Sequence, residues 1–227
     1  MLARELSQTF SMIMAVEFGA VVHHLRREAS LAKACAESDI AMSTAQANAF
    51  LLGHGMVERG WAIGQGGQAD EGLALIVRGM DVCRRSGSVL EFPHPWASLA
   101  ETYHTAGRID EALQAVDEGL KQAQATLARF NEAELYRLRG ELLLAGADPG
   151  SEDAERCFRQ ALEIARRQSA KSLELRAATS LSRLLQRQGK REEARRLLTE
   201  VYAWFTEGFD TADLKDARAL LDALMTD

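Results

Sequence analysis

The sequence predicts an all-α solenoid, a superhelix of about five extended helix hairpins closed by a C-terminal capping helix. Three observations predict this fold class. The 227 residues include only three prolines, so long stretches lack the residue that breaks helices. Aromatic residues make up 6% of the chain, which favours helices over strands. The chain also repeats itself about every forty residues, and a fixed period is typical of stacked supersecondary units.

Small residues mark the repeat at two positions. One series follows an acidic pair, with spacings of 40, 42 and 40 residues: Gly72, Ala112, Ala154 and Ala194. The other series lies one helix earlier, with spacings of 40, 40, 40 and 42 residues: Ala20, Gly60, Ala100, Gly140 and Ser182. The turn-forming segment "GADPGS" accounts for the two extra residues. We therefore predict one domain over 1–227, with its repeats near 13–52, 53–92, 93–132, 133–174 and 175–208 and the cap at 211–225.

Each repeat is predicted to contain two helices joined by a short turn. Hydrophobic periodicity, together with helix-ending glycines and prolines, places the individual helices. They are expected near 5–26, 28–46, 52–66, 69–86, 95–106, 109–127, 131–146, 152–168, 171–188, 191–204 and 211–225. The last of these has leucines and an alanine on one stripe and acids elsewhere, as a terminal cap requires.

The third repeat shows the residue order of a known motif. Trp96, Leu99, Ala100 and Tyr103 lie on one helical face, and Ala112 follows in the partner helix. This order resembles the tetratricopeptide repeat (TPR) pattern. HEAT and armadillo repeats share the period of about forty residues but not this order.

Composition and charge exclude several classes of protein. The net charge of −6 argues against non-specific binding of nucleic acid or of an anionic membrane. Residues 166–196 nevertheless hold ten Lys/Arg against three Asp/Glu, a local excess of seven positive charges. Three widely spaced cysteines fit neither a disulfide framework nor a paired zinc site, so we expect a reduced, cytoplasmic protein.

No pattern in the sequence predicts catalysis. Four acidic pairs recur in register at the start of second helices, where the helix dipole favours negative charge: Asp70/Glu71, Asp110/Glu111, Glu152/Asp153 and Glu192/Glu193. Adjacent His23 and His24 point about 100° apart on a helix, so they do not form a facial metal pair. No histidine belongs to a recognised two-histidine motif. We predict no enzyme, no catalytic residue, no cofactor and no metal.

The first helices of the repeats are expected to line a concave groove. By analogy with the TPR groove, these positions face inward and are the predicted binding residues: His54, Trp61, Gln65, Glu101, His104, Arg137, Glu141, Arg176, Arg183 and Arg187. Arg176, Arg183 and Arg187 align on one face and suit carboxylates or phosphates. A solvated basic face balanced by neighbouring acids is the equal alternative. Trp61 is either an anchor for a partner or a core residue, with the core favoured slightly.

A wider family resemblance rests on four segments: "RGWAIGQGGQADEGLALIVRGM", "EAELYRLRGELLL", "AERCFRQALEIARRQSAKSLELRAATSLSRLLQRQGKREEARRLL" and "WFTEGFDTADLKDARALLDAL". They resemble the C-terminal TPR region of bacterial multidomain proteins that carry an ATPase module, often with a class III adenylate/guanylate cyclase or a DNA-binding domain. The chain has none of those catalytic motifs, so we expect an excised fragment or a stand-alone descendant of the repeats.

The resemblance implies a scaffold that binds a protein or peptide in its groove, as a regulatory module of a bacterial signalling or transcription-regulating system. The alternative is a sensor of a small molecule or peptide with a discrete pocket. A homodimer is compatible with an open-ended solenoid. Direct nucleic-acid binding and membrane association are not expected.

Overall fold

The computed structural model describes residues 9–87, 93–126, 128–146 and 151–226, which contain eleven α-helices and no β-strand. The helices are α1 (Thr9–Leu25), α2 (Ala29–Ala45), α3 (Ala49–Gln65), α4 (Ala69–Arg85), α5 (His94–Thr105), α6 (Ile109–Thr126), α7 (Glu132–Ala145), α8 (Ser151–Arg167), α9 (Lys171–Arg187), α10 (Arg191–Tyr202) and α11 (Ala212–Met225). The all-α solenoid predicted from the sequence is confirmed.

Three-residue turns with a left-handed central residue set the period of the repeat. The central residues of these turns, with φ angles between 50° and 91°, are Arg27, Ala47, Gly67 and Gly107. Gly87 continues the twenty-residue spacing with a φ of 74°, but the segment between α4 and α5 is longer than three residues. A second pair with the same spacing is Ser169 and Gly189. In the Gly67 turn, the amide of Gln68 donates to the carbonyl of Ile63 at 3.2 Å, which closes the preceding helix. Because α2, α3 and α4 are each 17 residues long, two helices and two turns make one forty-residue repeat.

Within the described residues, each helix packs mainly against the next helix in the chain or the one after it. Glycine allows the closest approach, between α3 and α4. A Cβ on Gly60 would lie 2.7 Å from the carbonyl oxygen of Gly72, and a Cβ on Gly72 would lie 2.5 Å from that of Gly60. In α7, a Cβ on Gly140 would collide with the buried ring of Phe158 from α8. The small residues at the repeat positions therefore have a packing role.

The predicted helices agree with the observed ones to within a few residues. The largest difference at a described boundary is α3, which begins at Ala49 and not at 52 because Asn48 caps it: the Asn48 side chain accepts a hydrogen bond from the Leu51 amide at 3.1 Å. All four predicted acidic pairs lie in first turns. The expected start of α1 at residue 5 and most of the "GADPGS" loop lie outside the described residues.

The chain divides into two compact units, an N-terminal unit of residues 1–115 and a C-terminal unit of residues 116–227. The N-terminal core includes Ile13, Val57 and Ile76, and the C-terminal core is built around Phe158 and Leu181. Among the described helices, none combines the length and the apolar character that a membrane crossing requires.

Candidate functional site

Three buried polar side chains meet between the first helices of the N-terminal unit. Glu58 of α3 lies between His24 of α1 and His94 of α5, and the three residues are at most 6% exposed. One Glu58 oxygen, Oε2, lies 2.9 Å from Nδ1 of His24, and the other, Oε1, lies 2.7 Å from Nε2 of His94. We call these three residues the His–Glu cluster. It connects three consecutive repeats through one carboxylate.

Trp61 and Glu101 contact the cluster through His24. The indole of Trp61 stacks on the His24 ring, with centroids 3.6 Å apart and planes 11° apart. Its Nε1 donates a hydrogen bond of 2.6 Å to Oε2 of Glu101, and that same oxygen lies 3.7 Å from Nε2 of His24. Both ring nitrogens of His24 therefore face carboxylates. Trp61 is 2% exposed, so it lies in the core and also positions a charged neighbour.

The charges in the cluster stabilise one another against burial. Burial lowers the pKa of His24, but the carboxylates of Glu58 and Glu101 outweigh that effect and raise it to about 9. Burial would raise the pKa of Glu58, but the imidazoles of His94 and His24 hold it well below its ordinary value. The folded protein therefore keeps Glu58 ionised, with His24 protonated at neutral pH.

A second group of titratable side chains lies at the other end of α3. His54 has its Nδ1 3.5 Å from Oε1 of the buried Glu17. Burial lowers the pKa of His54, but hydrogen bonds with Cys83 and Glu17 raise it to about 10. Asp39 of α2 is fully buried. Its Oδ1 accepts a hydrogen bond from Ser43, whereas its Oδ2 has no hydrogen-bond partner among the described residues.

The C-terminal unit carries an arginine network in the equivalent first helices. Arg137 of α7 donates two hydrogen bonds to Glu134, of 3.0 and 2.7 Å. Arg176 of α9 donates to Asp213 of α11 at 2.7 Å, and its Nη1 lies 3.5 Å from Oε1 of Glu134. Glu141 accepts a 2.6 Å hydrogen bond from the Ser180 hydroxyl of α9. These contacts join the capping helix to two repeats.

Arg183 and Arg187 differ from Arg176, although the three were predicted to form one row. The side chain of Arg176 is only 10% exposed and is held by two carboxylates. Arg183 and Arg187 are both exposed, and neither makes an ion pair or a hydrogen bond with another described residue. The accessible part of the row is therefore this pair, one helical turn apart.

The remaining predicted groove residues lie apart from both networks. Gln65 is exposed at the end of α3. His104 is half-buried near the end of α5. The ten predicted residues therefore comprise two that join the His–Glu cluster, one beside Glu17, three in the arginine network, two exposed arginines, and these two.

Sequence reasoning did not find Glu58, His24 and His94 as a group. Glu58 is 34 residues from His24 and 36 residues from His94. His24 lies at the end of α1, Glu58 in the middle of α3 and His94 at the start of α5. The signal that could have found them is a glutamate in the interior of the buried helix α3, together with a histidine in the preceding first helix and another in the following one. The contact between His54 and Cys83 was also absent from the sequence prediction.

The C-terminal unit also contains a cavity of about 340 Å³ between α7 and α8. Its lining includes Tyr136, Leu143, Cys157 and Gln160, together with two arginines. Arg139 pairs with Asp117 at 3.2 Å, and Arg156 pairs with Asp153, so both cations are already neutralised. Burial raises the pKa of the Cys157 thiol, which makes it a poor nucleophile.

Comparison with known proteins supports the fold. No family model matches the chain. An uncharacterised protein of Rhizobium meliloti is 30% identical over 134 residues, which are 59% of this chain and 13% of that protein's length. Two crystal structures of a Podosopora anserina kinesin light chain protein with nearly identical TPR-like repeats are also similar, one of them a point variant. The variant has a TM-score of 0.55 and 20% identity, covering 85% of this chain and 94% of its own. The other has a TM-score of 0.54 and 18% identity, covering 96% and 98%. The chain therefore has a TPR-like repeat fold.

Proposed function

We propose that this chain is a non-catalytic TPR scaffold that binds a protein or peptide with carboxylates on its surface. The observation that carries the proposal is the pair of exposed guanidinium groups of Arg183 and Arg187 on α9, which make no ion pair or hydrogen bond within the described part of the chain. Other arginines nearby are paired with acids: Arg159 contacts Glu155 and Glu193, and Arg195 contacts Glu192. A pair one turn apart suits bidentate contacts with successive acidic side chains.

The unit that presents these arginines is well suited to act as a rigid platform. Arg183 and Arg187 lie on α9. The opposite side of this helix carries leucines that are fully buried, such as Leu181 and Leu185. The helix is also anchored to α11 through Arg176 and Asp213. A fixed helix loses little conformational entropy when it binds a peptide.

Fluorescence anisotropy with labelled twelve-residue peptides tests this function. The probes are a glutamate-rich peptide and its lysine-substituted counterpart. We expect the protein to bind the glutamate-rich peptide and not the lysine-substituted one. Arg183→Glu should lower the affinity for the glutamate-rich peptide by at least ~10-fold, because a repulsive contact replaces an attractive one. The matched control is Arg196→Glu, an exposed arginine on α10 of the same repeat. Equal losses in both variants, or no binding of the acidic peptide, would contradict the proposal.

We further propose that the scaffold is a regulatory module of a longer bacterial signalling or transcription-regulating protein with an ATPase or cyclase. The match to 13% of a much longer Rhizobium meliloti protein supports this context, as does the resemblance of the repeat segments. Reading the gene on both sides of the segment that encodes this chain tests it. A cytoplasmic location follows from the same proposal and is checked by cell fractionation.

A homodimer remains part of the proposal. Phe18, Val22 and Leu25 share one side of α1 and are 57%, 51% and 39% exposed. An apolar stripe of this kind on a first repeat is suited to pack against another repeat or a second copy. Light scattering after size-exclusion chromatography distinguishes dimer from monomer by mass. If the apolar stripe forms the dimer, the parent should have the mass of a dimer and Phe18→Glu that of a monomer.

The alternative function is that of a small-molecule or peptide sensor, and the 340 Å³ cavity between α7 and α8 favours it. That volume lies at the lower end of the range for small-ligand pockets. A thermal-shift screen of anionic metabolites and short peptides separates the two functions. A stabilising compound whose effect disappears in Tyr136→Ala supports the sensor, and a screen without a stabilising compound contradicts it.

A further inference from the structure

The His–Glu cluster has the donor set of a metal centre. One ring nitrogen from each of His24 and His94 and one carboxylate oxygen of Glu58 all lie within 4.8 Å of one another, and all three residues are buried. We propose that these residues bind one divalent transition-metal ion, and that Zn²⁺ fits the site best. The sequence-based prediction is that no metal is bound, and the titrations described below decide between the two.

The chemistry of the donors selects the class of ion. Two imidazoles and one carboxylate are borderline ligands that suit Zn²⁺ and its first-row neighbours, whereas Ca²⁺ and Mg²⁺ prefer oxygen donors alone. Two imidazoles and one glutamate are a known three-ligand set for zinc, which leaves a fourth position for another group. Glu101, whose Oε2 lies 3.7 Å from Nε2 of His24, is a further carboxylate beside the cluster.

The surroundings orient the donors as they do in metal centres. Histidine ligands usually place their second ring nitrogen against a carboxylate, which fixes the ring and strengthens the ligand. His24 meets this condition, because its Nδ1 faces Glu58 and its Nε2 faces Glu101. The stacked indole of Trp61 prevents the ring from turning, and the same indole anchors Glu101.

The two separations between Glu58 and the imidazoles require only a small adjustment. Donor atoms around a tetrahedral Zn²⁺ stand about 3.3 Å apart, since each bond is about 2.0 Å long. The two measured separations from Glu58, 2.9 Å and 2.7 Å, therefore widen by about 0.5 Å when the ion enters. On binding, the ligating ring nitrogens give up their protons, with the proton of the charged His24 released to solvent, and their hydrogen bonds to Glu58 are exchanged for metal bonds.

The consequence for the fold is a clamp across three repeats. The ligands come from α1, α3 and α5, the first helices of three consecutive repeats. A single ion would connect these helices with bonds that are stronger than the hydrogen bonds between them. Binding is expected to stiffen the N-terminal unit without involving α9, where the peptide surface was proposed.

The test uses the full 227-residue chain, purified without a polyhistidine tag and treated with EDTA. Isothermal titration with ZnCl₂ is expected to show one site per chain, and MgCl₂ is expected to show none. His94→Gln should lower the zinc affinity by at least ~10-fold. The matched control is His104→Gln, a histidine on the same helix outside the cluster, which should bind zinc like the parent.

Titration with Co²⁺ provides a readout that does not depend on stability. A tetrahedral Co²⁺ centre with nitrogen and oxygen donors gives intense visible bands, which should appear in the parent and in His104→Gln and be absent in His94→Gln and His24→Gln. Far-UV circular dichroism confirms that each variant is folded. The proposal is overturned if the parent binds no zinc, if His94→Gln binds it unchanged, or if alkylation of Cys35, Cys83 and Cys157 abolishes binding.

Discussion

The first helices of the two units bury charge in different ways. In the N-terminal unit, Glu58 is held between two imidazoles whose charge depends on pH. In the C-terminal unit, Glu134 is held by the guanidinium groups of Arg137 and Arg176, which stay charged at every pH that a folded protein meets. First helices therefore contain a titratable network in the N-terminal unit and a permanent one in the C-terminal unit.

Because of this difference, the two networks are expected to have different roles in the two units. Buried ion pairs contribute little net stability when complete, but breaking one leaves an uncompensated charge. The N-terminal network can be weakened by pH or occupied by a metal, whereas the C-terminal network gives a constant support to the exposed arginines of α9. Three substitutions test this comparison, in order of decreasing expected effect.

The largest effect is expected for Glu58→Gln, measured in EDTA. The change leaves the buried ring of His24 without its closest carboxylate, so unfolding by urea should show a loss of about 3–5 kcal/mol at pH 6. Hydrogen exchange should localise this loss to the N-terminal unit. His94→Gln, which keeps Glu58 and its bond to His24, should cost less.

The loss caused by Glu58→Gln should also depend on pH. The pKa of His24 is raised from its ordinary 6.5 to about 9, so the stability it contributes is full below pH 6.5 and disappears as pH rises through 9. The pKa of Glu58 is lowered from 4.5, so its contribution is lost only in acid. The difference between parent and variant should be greatest between pH 4.5 and 6.5 and smaller at pH 10. A constant difference would contradict the ion-pair explanation.

The sequence predicted the helices but not the two networks. Turn glycines such as Gly67 and Gly107, and the small pair Gly60 and Gly72, act locally or between adjacent helices, so a period of forty residues reveals them. The groove residues were placed by analogy, and the analogy does not tell an open inward position from a filled one. The inward position of Trp61 is occupied because the His24 ring of α1 stacks on the indole. The spacing of residues within one helix does not predict this contact.

Arg176→Ala should have the second-largest effect, in the C-terminal unit. It removes the 2.7 Å bond to Asp213, a carboxylate that is only 16% exposed. We expect a loss of about 3 kcal/mol and faster amide exchange in α11, because the cap loses its link to α9. The loss should be the same at pH 6 and pH 9, unlike that of Glu58→Gln. Arg183→Ala, an exposed arginine on the same helix, should change stability by less than about 0.5 kcal/mol.

Asp39→Asn should have the smallest effect of the three and the opposite sign. Burial raises the pKa of Asp39 from 3.8 to about 6, although the hydrogen bond from Ser43 opposes this rise. The carboxylate therefore destabilises the folded protein once it ionises, and the cost is absent below pH 3.8 and complete above pH 6. Removing the charge should stabilise the N-terminal unit by about 2 kcal/mol at pH 7.5 and by little at pH 4.

A second variant sharpens this last prediction. Ser43→Ala removes the hydroxyl that donates the 2.7 Å hydrogen bond to Oδ1 of Asp39, while it leaves the carboxyl group in place. It should raise the pKa of Asp39 further and destabilise the protein at pH 7.5, which is the reverse of Asp39→Asn. Urea unfolding at the two pH values measures both variants. If both variants shift stability in the same direction at pH 7.5, the burial of the Asp39 charge is not the cause.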